Sequence, residues 1–120
     1  MGLQAQTIQG ILGETLVYVC VVKRNNVVVD ITGSTVWLTA KTRYTDPDPG
    51  VFQASTLNGY IALTAPTVGE FRVVLDADWT ADLVAPLKLY YDVKVKEQDG
   101  NENVPIFGQL ELLPNVTDAS

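Results

Sequence analysis

Carboxylates are the side chains here with the numbers and spacing to do chemistry. Asp46 and Asp48 alternate with prolines in Asp46-Pro47-Asp48-Pro49-Gly50, and Asp76, Asp78 and Asp82 recur along a second segment. Clustered carboxylate oxygens can ligate calcium, and two acids facing across a cleft can hydrolyse a glycoside. Neither cluster matches a calcium-loop spacing, and ordinary roles account for both: a solvated turn for the first and helix capping for the second. The 120 residues contain no histidine, which removes the commonest general base and the commonest transition-metal ligand. One cysteine, Cys20, adds too little for a zinc site. It lies in Leu16-Val17-Tyr18-Val19-Cys20-Val21-Val22 with no basic cluster beside it, so it reads as an apolar filler and not a reactive thiol. The nine glycines are scattered at turns and make no phosphate loop, and no serine has a nucleophile-elbow context. No catalytic, cofactor-binding or metal-ligating residue is therefore assigned, no cofactor is expected, and the chain is not expected to be an enzyme.

The elements that carry these residues are strands. Leu89, Tyr91, Val93 and Val95 alternate with Lys88, Tyr90, Asp92, Lys94 and Lys96, giving one dry and one wet face. Asp99-Gly100 then turns the chain into a second apolar run over 104–113, a hairpin signal. Further strands are expected over 14–23, apolar on both faces and so central or covered, over 27–30, 35–42, 60–64 and 70–76, with a short one around 7–11 inside the polar N-terminal arm. Arg24-Asn25-Asn26, Ile31-Thr32-Gly33-Ser34 and the residues 66–69 read as turns, and 44–55 as a proline-broken loop. One short helical turn near 76–84, capped by Asp76 or Asp78 with Trp79 and Leu83 on one face, crosses between sheets. Roughly seven or eight short strands at regular spacing predict an all-β fold, an antiparallel β-sandwich, with a small barrel as the alternative. The division is an N-terminal arm at 1–13, a domain at 14–113 and a C-terminal tail at 114–120.

Composition agrees with one globular domain. Apolar residues are 47% and charged residues 18%, too apolar for a disordered chain. The formal charge of −6 repels phosphate backbones and anionic bilayers, so neither nucleic acid nor membrane is an expected partner. Residues 1–20 lack a basic start, and Glu14 interrupts their apolar run, unlike a signal peptide. No apolar stretch is long enough to span a bilayer. Asn115-Val116-Thr117 fits a glycosylation acceptor, although nothing else points to secretion.

If the alternation sets the faces, Trp37 and Tyr90 project outward. Together with Tyr44 they form the candidate partner-binding surface. The polar arms at 1–13 and 114–120 are a second place from which a neighbour can be reached.

Several segments resemble small immunoglobulin-like domains of tailed-bacteriophage virion proteins. Gly13-Glu14-Thr15, a valine-rich strand, and Val29-Asp30-Ile31-Thr32-Gly33-Ser34-Thr35-Val36 resemble their opening, with Trp37 to Lys41 as the alternating strand that ends in lysine. Gly69-Glu70-Phe71-Arg72-Val73-Val74-Leu75 followed by Asp78-Trp79-Thr80-Ala81-Asp82-Leu83 resembles their middle segment. Tyr90-Tyr91-Asp92-Val93-Lys94-Val95, Asp99-Gly100, Gly108-Gln109-Leu110-Glu111-Leu112 and Asn115-Val116-Thr117 resemble their ending. The likeness covers nearly the whole chain, and the domain that opens baseplate upper proteins is one relative it suggests. The loop at 46–56 departs from the pattern, and the chain stops where larger relatives continue.

The resemblance implies an immunoglobulin-like β-sandwich acting as a non-enzymatic virion structural protein, made in the host cytoplasm and carried on the particle. A capsid decoration or cement protein on the head lattice is the leading expectation. A tail, baseplate or fibre-attachment component is the alternative, and a carbohydrate-binding module using Trp37, Trp79, Tyr44, Tyr60 and Tyr90 is another. Expected partners are other virion proteins, the major capsid protein or tail and baseplate proteins, with the chain homo-oligomeric or lattice-bound.

Overall fold

The computed structural model describes residues 4–5, 7–11, 13–43, 45–48, 50–81, 83 and 87–114. The described strands, in chain order, are β1 (Gln4–Ala5), β2 (Ile8–Ile11), β3 (Leu16–Val21), β4 (Lys23–Arg24), β5 (Val27–Val28), β6 (Thr35–Lys41), β7 (Phe52–Ser55), β8 (Ile61–Ala65), β9 (Glu70–Leu75), β10 (Leu87–Lys96) and β11 (Glu102–Leu113). Among the described residues, helical structure is confined to 3-10 turns at Pro66–Val68 and Ala77–Trp79. The protein is all-β, as the alternation predicts.

Six strands form the larger sheet, in the order β1–β11–β10–β6–β7, with β2 also paired to β11. The second sheet is β3–β9–β8, and β4–β5 form a small ribbon. β10 is antiparallel to both β6 and β11, whereas β1 and β2 run parallel to β11. Local chemistry makes the turns. Asn25 and Asn26 both take positive φ, 54° and 64°, the two-residue geometry that joins β4 to β5 at the right twist. In the β10–β11 hairpin Glu97 N–H donates to Asn101 O (2.7 Å) and Gly100 N–H to Glu97 O (2.9 Å). Farther along, Val104 and Pro105 of β11 stand against Lys94 alone between the Val93–Ile106 and Val95–Asn103 pairs. Proline has no N–H to give a ladder, so a bulge is where it fits.

The two sheets meet over one apolar core. Val36, Leu38 and Ala40 of β6, Leu89, Tyr91, Val93 and Val95 of β10, and Ile106 and Leu110 of β11 are buried on one side; Cys20, Ile61, Phe71, Val73 and Leu75 are buried on the other. The link between sheets after β9 is the 3-10 turn, whose first N–H groups are capped by Asp76 Oδ1 accepting from Asp78 N–H at 3.0 Å. Trp79 on this turn stacks on Phe52 of β7 (5.3 Å between centroids) and tilts against Tyr60 at the head of β8 (4.5 Å). It plugs one end of the core between the sheets. Cys20 is buried, and desolvation pushes its thiol up to about 12. Thiol labelling at about pH 8 is expected to wait for global unfolding, because the thiolate is the reactive form. Rapid labelling of the native protein would contradict that packing.

Three expectations change. Residues 52–55, read as loop, form β7: Phe52 and Ala54 lie opposite Ala40 and Leu38 and are buried with them. Their weak local β-propensity is overridden by pairing with β6, the preceding strand, across the proline-broken loop. The strand within 14–23 is not central. Among the described residues β3 pairs with β9 alone, and its outer valines, Val17 and Val19, remain 54% and 55% exposed. Finally, the N-terminal segment forms the short strand expected around 7–11, as β2, but it is not a polar arm there: Ile8 is 1% exposed and part of the core. A single inward isoleucine gives no periodic signal, and its burial depends on the parallel ladder to β11. The tail at 115–120, including Asn115-Val116-Thr117, lies outside the described residues.

Candidate functional site

The outer face of the six-stranded sheet gathers the side chains that alternate away from the core. Register places Trp37 between Lys94 of β10 and Ser55 of β7, Thr39 between Asp92 and Gln53, and Tyr90 between Lys41 and Gln109. Directly opposed residues of an antiparallel pair share a face and sit about 5 Å apart. Trp37 and Tyr90 thus occupy one surface, both half-buried, separated by about 14 Å along the strands at about 3.4 Å per residue. Tyr44 lies outside the described residues. The other aromatic residues considered for binding, Trp79 and Tyr60, are turned to each other and to Phe52.

An open depression of about 530 Å³ lies on this face, with Trp37 and Val104 as its apolar lining and Thr39, Gln53, Asp48, Asp92, Lys94, Lys96 and Glu102 as its polar lining. Two ion pairs shape it: Lys94 Nζ to Glu102 Oε1 at 2.6 Å and Lys41 Nζ to Asp48 Oδ1 at 2.9 Å. The hydrogen bond to Glu102 raises Lys94 above the ordinary lysine range and Lys94 lowers Glu102. Gln53 Nε2 donates to Thr39 Oγ1 at 2.9 Å, which holds the amide flat across β7 and β6. Asp92 makes no ion pair among the described residues. Burial pushes its carboxyl above the ordinary aspartate range, with Lys41 pulling the other way.

The sign of this shift sets a pH dependence. A carboxyl raised on folding keeps its proton to higher pH in the folded chain than in the unfolded one, so stability declines as pH climbs from the ordinary aspartate value through the raised one. Asp92→Asn is expected to raise the melting temperature at about pH 7 and to leave it nearly unchanged at about pH 3, where both states are protonated. A lower melting temperature at neutral pH would show that the Asp92 charge is stabilised in the fold.

The acid clusters resolve into local roles. Asp46 Oδ2 accepts from Arg43 N–H (3.1 Å) and closes a turn, Asp48 pairs with Lys41, and Asp76 both caps the 3-10 turn and accepts from the Tyr60 hydroxyl at 3.2 Å. Asp82 lies outside the described residues. Among the described residues no group of three or more histidine, cysteine, aspartate or glutamate side chains is placed to hold a metal ion. Sequence reasoning located Trp37 and Tyr90 on the outer face. It missed Gln53, Glu102 and Val104: Gln53 comes from a strand read as loop, Glu102 precedes the apolar run expected over 104–113, and Val104 stands in the bulge. The chain matches no family model, and no curated protein sequence matches it.

Proposed function

We propose that the chain is an immunoglobulin-like sandwich that serves as a non-enzymatic structural protein of a tailed-bacteriophage virion, placed on the head as a decoration or cement protein. The resemblance of its segments to virion immunoglobulin-like domains supports this, and so does the strand order. A sheet in which β11, β10, β6 and β7 follow one another, faced by β3–β9–β8, matches the division of strands in that fold.

The observation that carries the reading is the bare edge at β3. From Thr15 to Val22 the chain has no charge, no proline and no glycine, and among the described residues the far side of β3 pairs with nothing. Edge strands of free-standing domains are normally blunted by charge or proline. Here Val17 and Val19 project beside Val74 and Arg72 of β9 instead. An apolar strip on an otherwise acidic surface suits docking onto a protein lattice. Weak contacts repeated over many lattice points then hold by avidity, while the net charge of −6 keeps free subunits apart.

The test is localisation by electron microscopy of virions of the encoding phage, with Val19→Lys as the probe. This exposed change sets a lysine opposite Arg72 and is expected to cost about 1 kcal/mol of stability, leaving the domain folded, and to remove the protein from purified particles. Density on the head supports decoration, and density on the tail or baseplate moves the same docking surface there. Absence of the wild-type protein from virions by mass spectrometry defeats the reading.

A further inference from the structure

We infer that the depression around Trp37 is a binding site for a neutral saccharide, with the indole as the stacking platform. The site lies on the sheet opposite β3, so it does not depend on how that edge is used.

The volume, about 530 Å³, falls within the range of small-ligand sites. Its chemistry narrows the ligand. The depression is lined by three carboxylates, Asp48, Asp92 and Glu102, and two ammonium groups, Lys94 and Lys96, which leaves a formal balance of −1, and Lys41 reaches Asp48 from outside the lining. Two of the carboxylates, Asp48 and Glu102, are already held in ion pairs. A phosphate or nucleic acid meets three carboxylates here and is repelled. A wholly apolar ligand would strip water from Asp92 and Lys96, and finds only Trp37 and Val104 to contact. A polyol satisfies both kinds of group, since each hydroxyl donates and accepts.

Placement fits as well. Lys94 is directly opposite Trp37, and Asp92 and Lys96 are its diagonal neighbours on the same face, about 7–8 Å away across the ladder. Acceptor and donors therefore surround the indole at the reach of hydroxyls on a ring resting upon it. The face of an indole is electron-rich and attracts the weakly positive C–H groups of a sugar's apolar side. The carboxylate of Asp92, outside both ion pairs among the described residues, is the acceptor for charge-assisted bonds from hydroxyls.

The probes are three neutral oligosaccharides, maltotetraose, cellotetraose and chitotetraose, titrated into the full chain and followed by tryptophan fluorescence and by amide chemical shifts. At least one is expected to bind saturably with a Kd of about 1 mM or tighter, a range usual for exposed sites that order few groups. The perturbed amides are expected on β6, β7, β10 and β11. Trp37→Ala is expected to weaken binding by more than about tenfold, and Asp92→Asn by about fivefold. Trp37→Phe, which keeps a stacking face, is expected to retain part of the affinity, and the melting temperature of each variant shows that it is folded. Val19→Lys, on the opposite sheet, is expected to bind as wild type does. Failure of all three sugars to saturate, or binding that survives Trp37→Ala, overturns the inference. It does so without touching the placement on the virion, which is read by microscopy.

Discussion

Replacing Phe71 with alanine is expected to lower the unfolding free energy by about 4 kcal/mol, within the range for aromatic truncation in a packed core. Phe71 is fully buried near the start of β9, the central strand of the smaller sheet. It lies opposite Cys20 on β3, and Tyr91 of the other sheet is held above its ordinary range by burial with Cys20 and Tyr18 close by. The ring thus sits near the surface where the two sheets meet. Removing it leaves a void bounded by strands that are fixed by their ladders and collapse only in part. A domain of this size is stable by about 5–15 kcal/mol in total, so the variant is expected to unfold at a much lower urea concentration with an unchanged slope. A loss below about 1 kcal/mol would mean that the sheets are not packed through this residue.

Gly69→Ala is the second large effect, expected at about 3 kcal/mol from backbone strain and steric conflict together. Gly69 caps the Pro66–Val68 turn with φ of 76°. A Cβ there would stand 2.7 Å from the carbonyl oxygens of both Val22 and Val29. The Val22 backbone is not free to retreat. Val22 O accepts from Val29 N–H at 3.0 Å, and Val22 N–H donates to Gly69 O at 2.9 Å. The glycine is the knot that ties the end of β3, the β4–β5 ribbon and the start of β9 together. Gly100→Ala is the control: its φ is 97° with nothing within 4 Å of an added Cβ, so only the conformational cost of about 1 kcal/mol is expected. Equal losses in the two variants, measured by urea unfolding, would exclude close packing at Gly69.

The strands that announced themselves are those that alternate over long runs and end in turn chemistry. β10 is one, with four inward apolar residues against lysines and an aspartate, and β6 and β9 are others. Asn25-Asn26 and Asp99-Gly100 marked their turns because few residues tolerate the backbone that such turns need. β7 gave no such signal: Phe52-Gln53-Ala54-Ser55 is short, and two of its residues have poor strand propensity. For the candidate site, alternation alone put Trp37 and Tyr90 on one outward face. It could not separate Trp37, beside an open depression, from Trp79, packed on Phe52 and Tyr60. The residues beside them, Val36 and Leu38 for the first and Asp78 and Thr80 for the second, do not make the distinction, which depends on what the rest of the chain brings against each ring.

The amino-acid pattern by itself determined the class of structure, the faces of the long strands, and the lack of histidine that narrows the chemistry. These are local properties, because side-chain direction in a strand follows from the pleat and residue type follows from the code. Only the tertiary structure decided that β3 is an edge with valines turned to solvent. It alone brought Ile8 into the core beside β11, and it alone formed the depression around Trp37 from β6, β7, β10 and β11. Each of these depends on pairing between residues distant in the chain, whose energy comes from long-range burial and not from any neighbour in sequence.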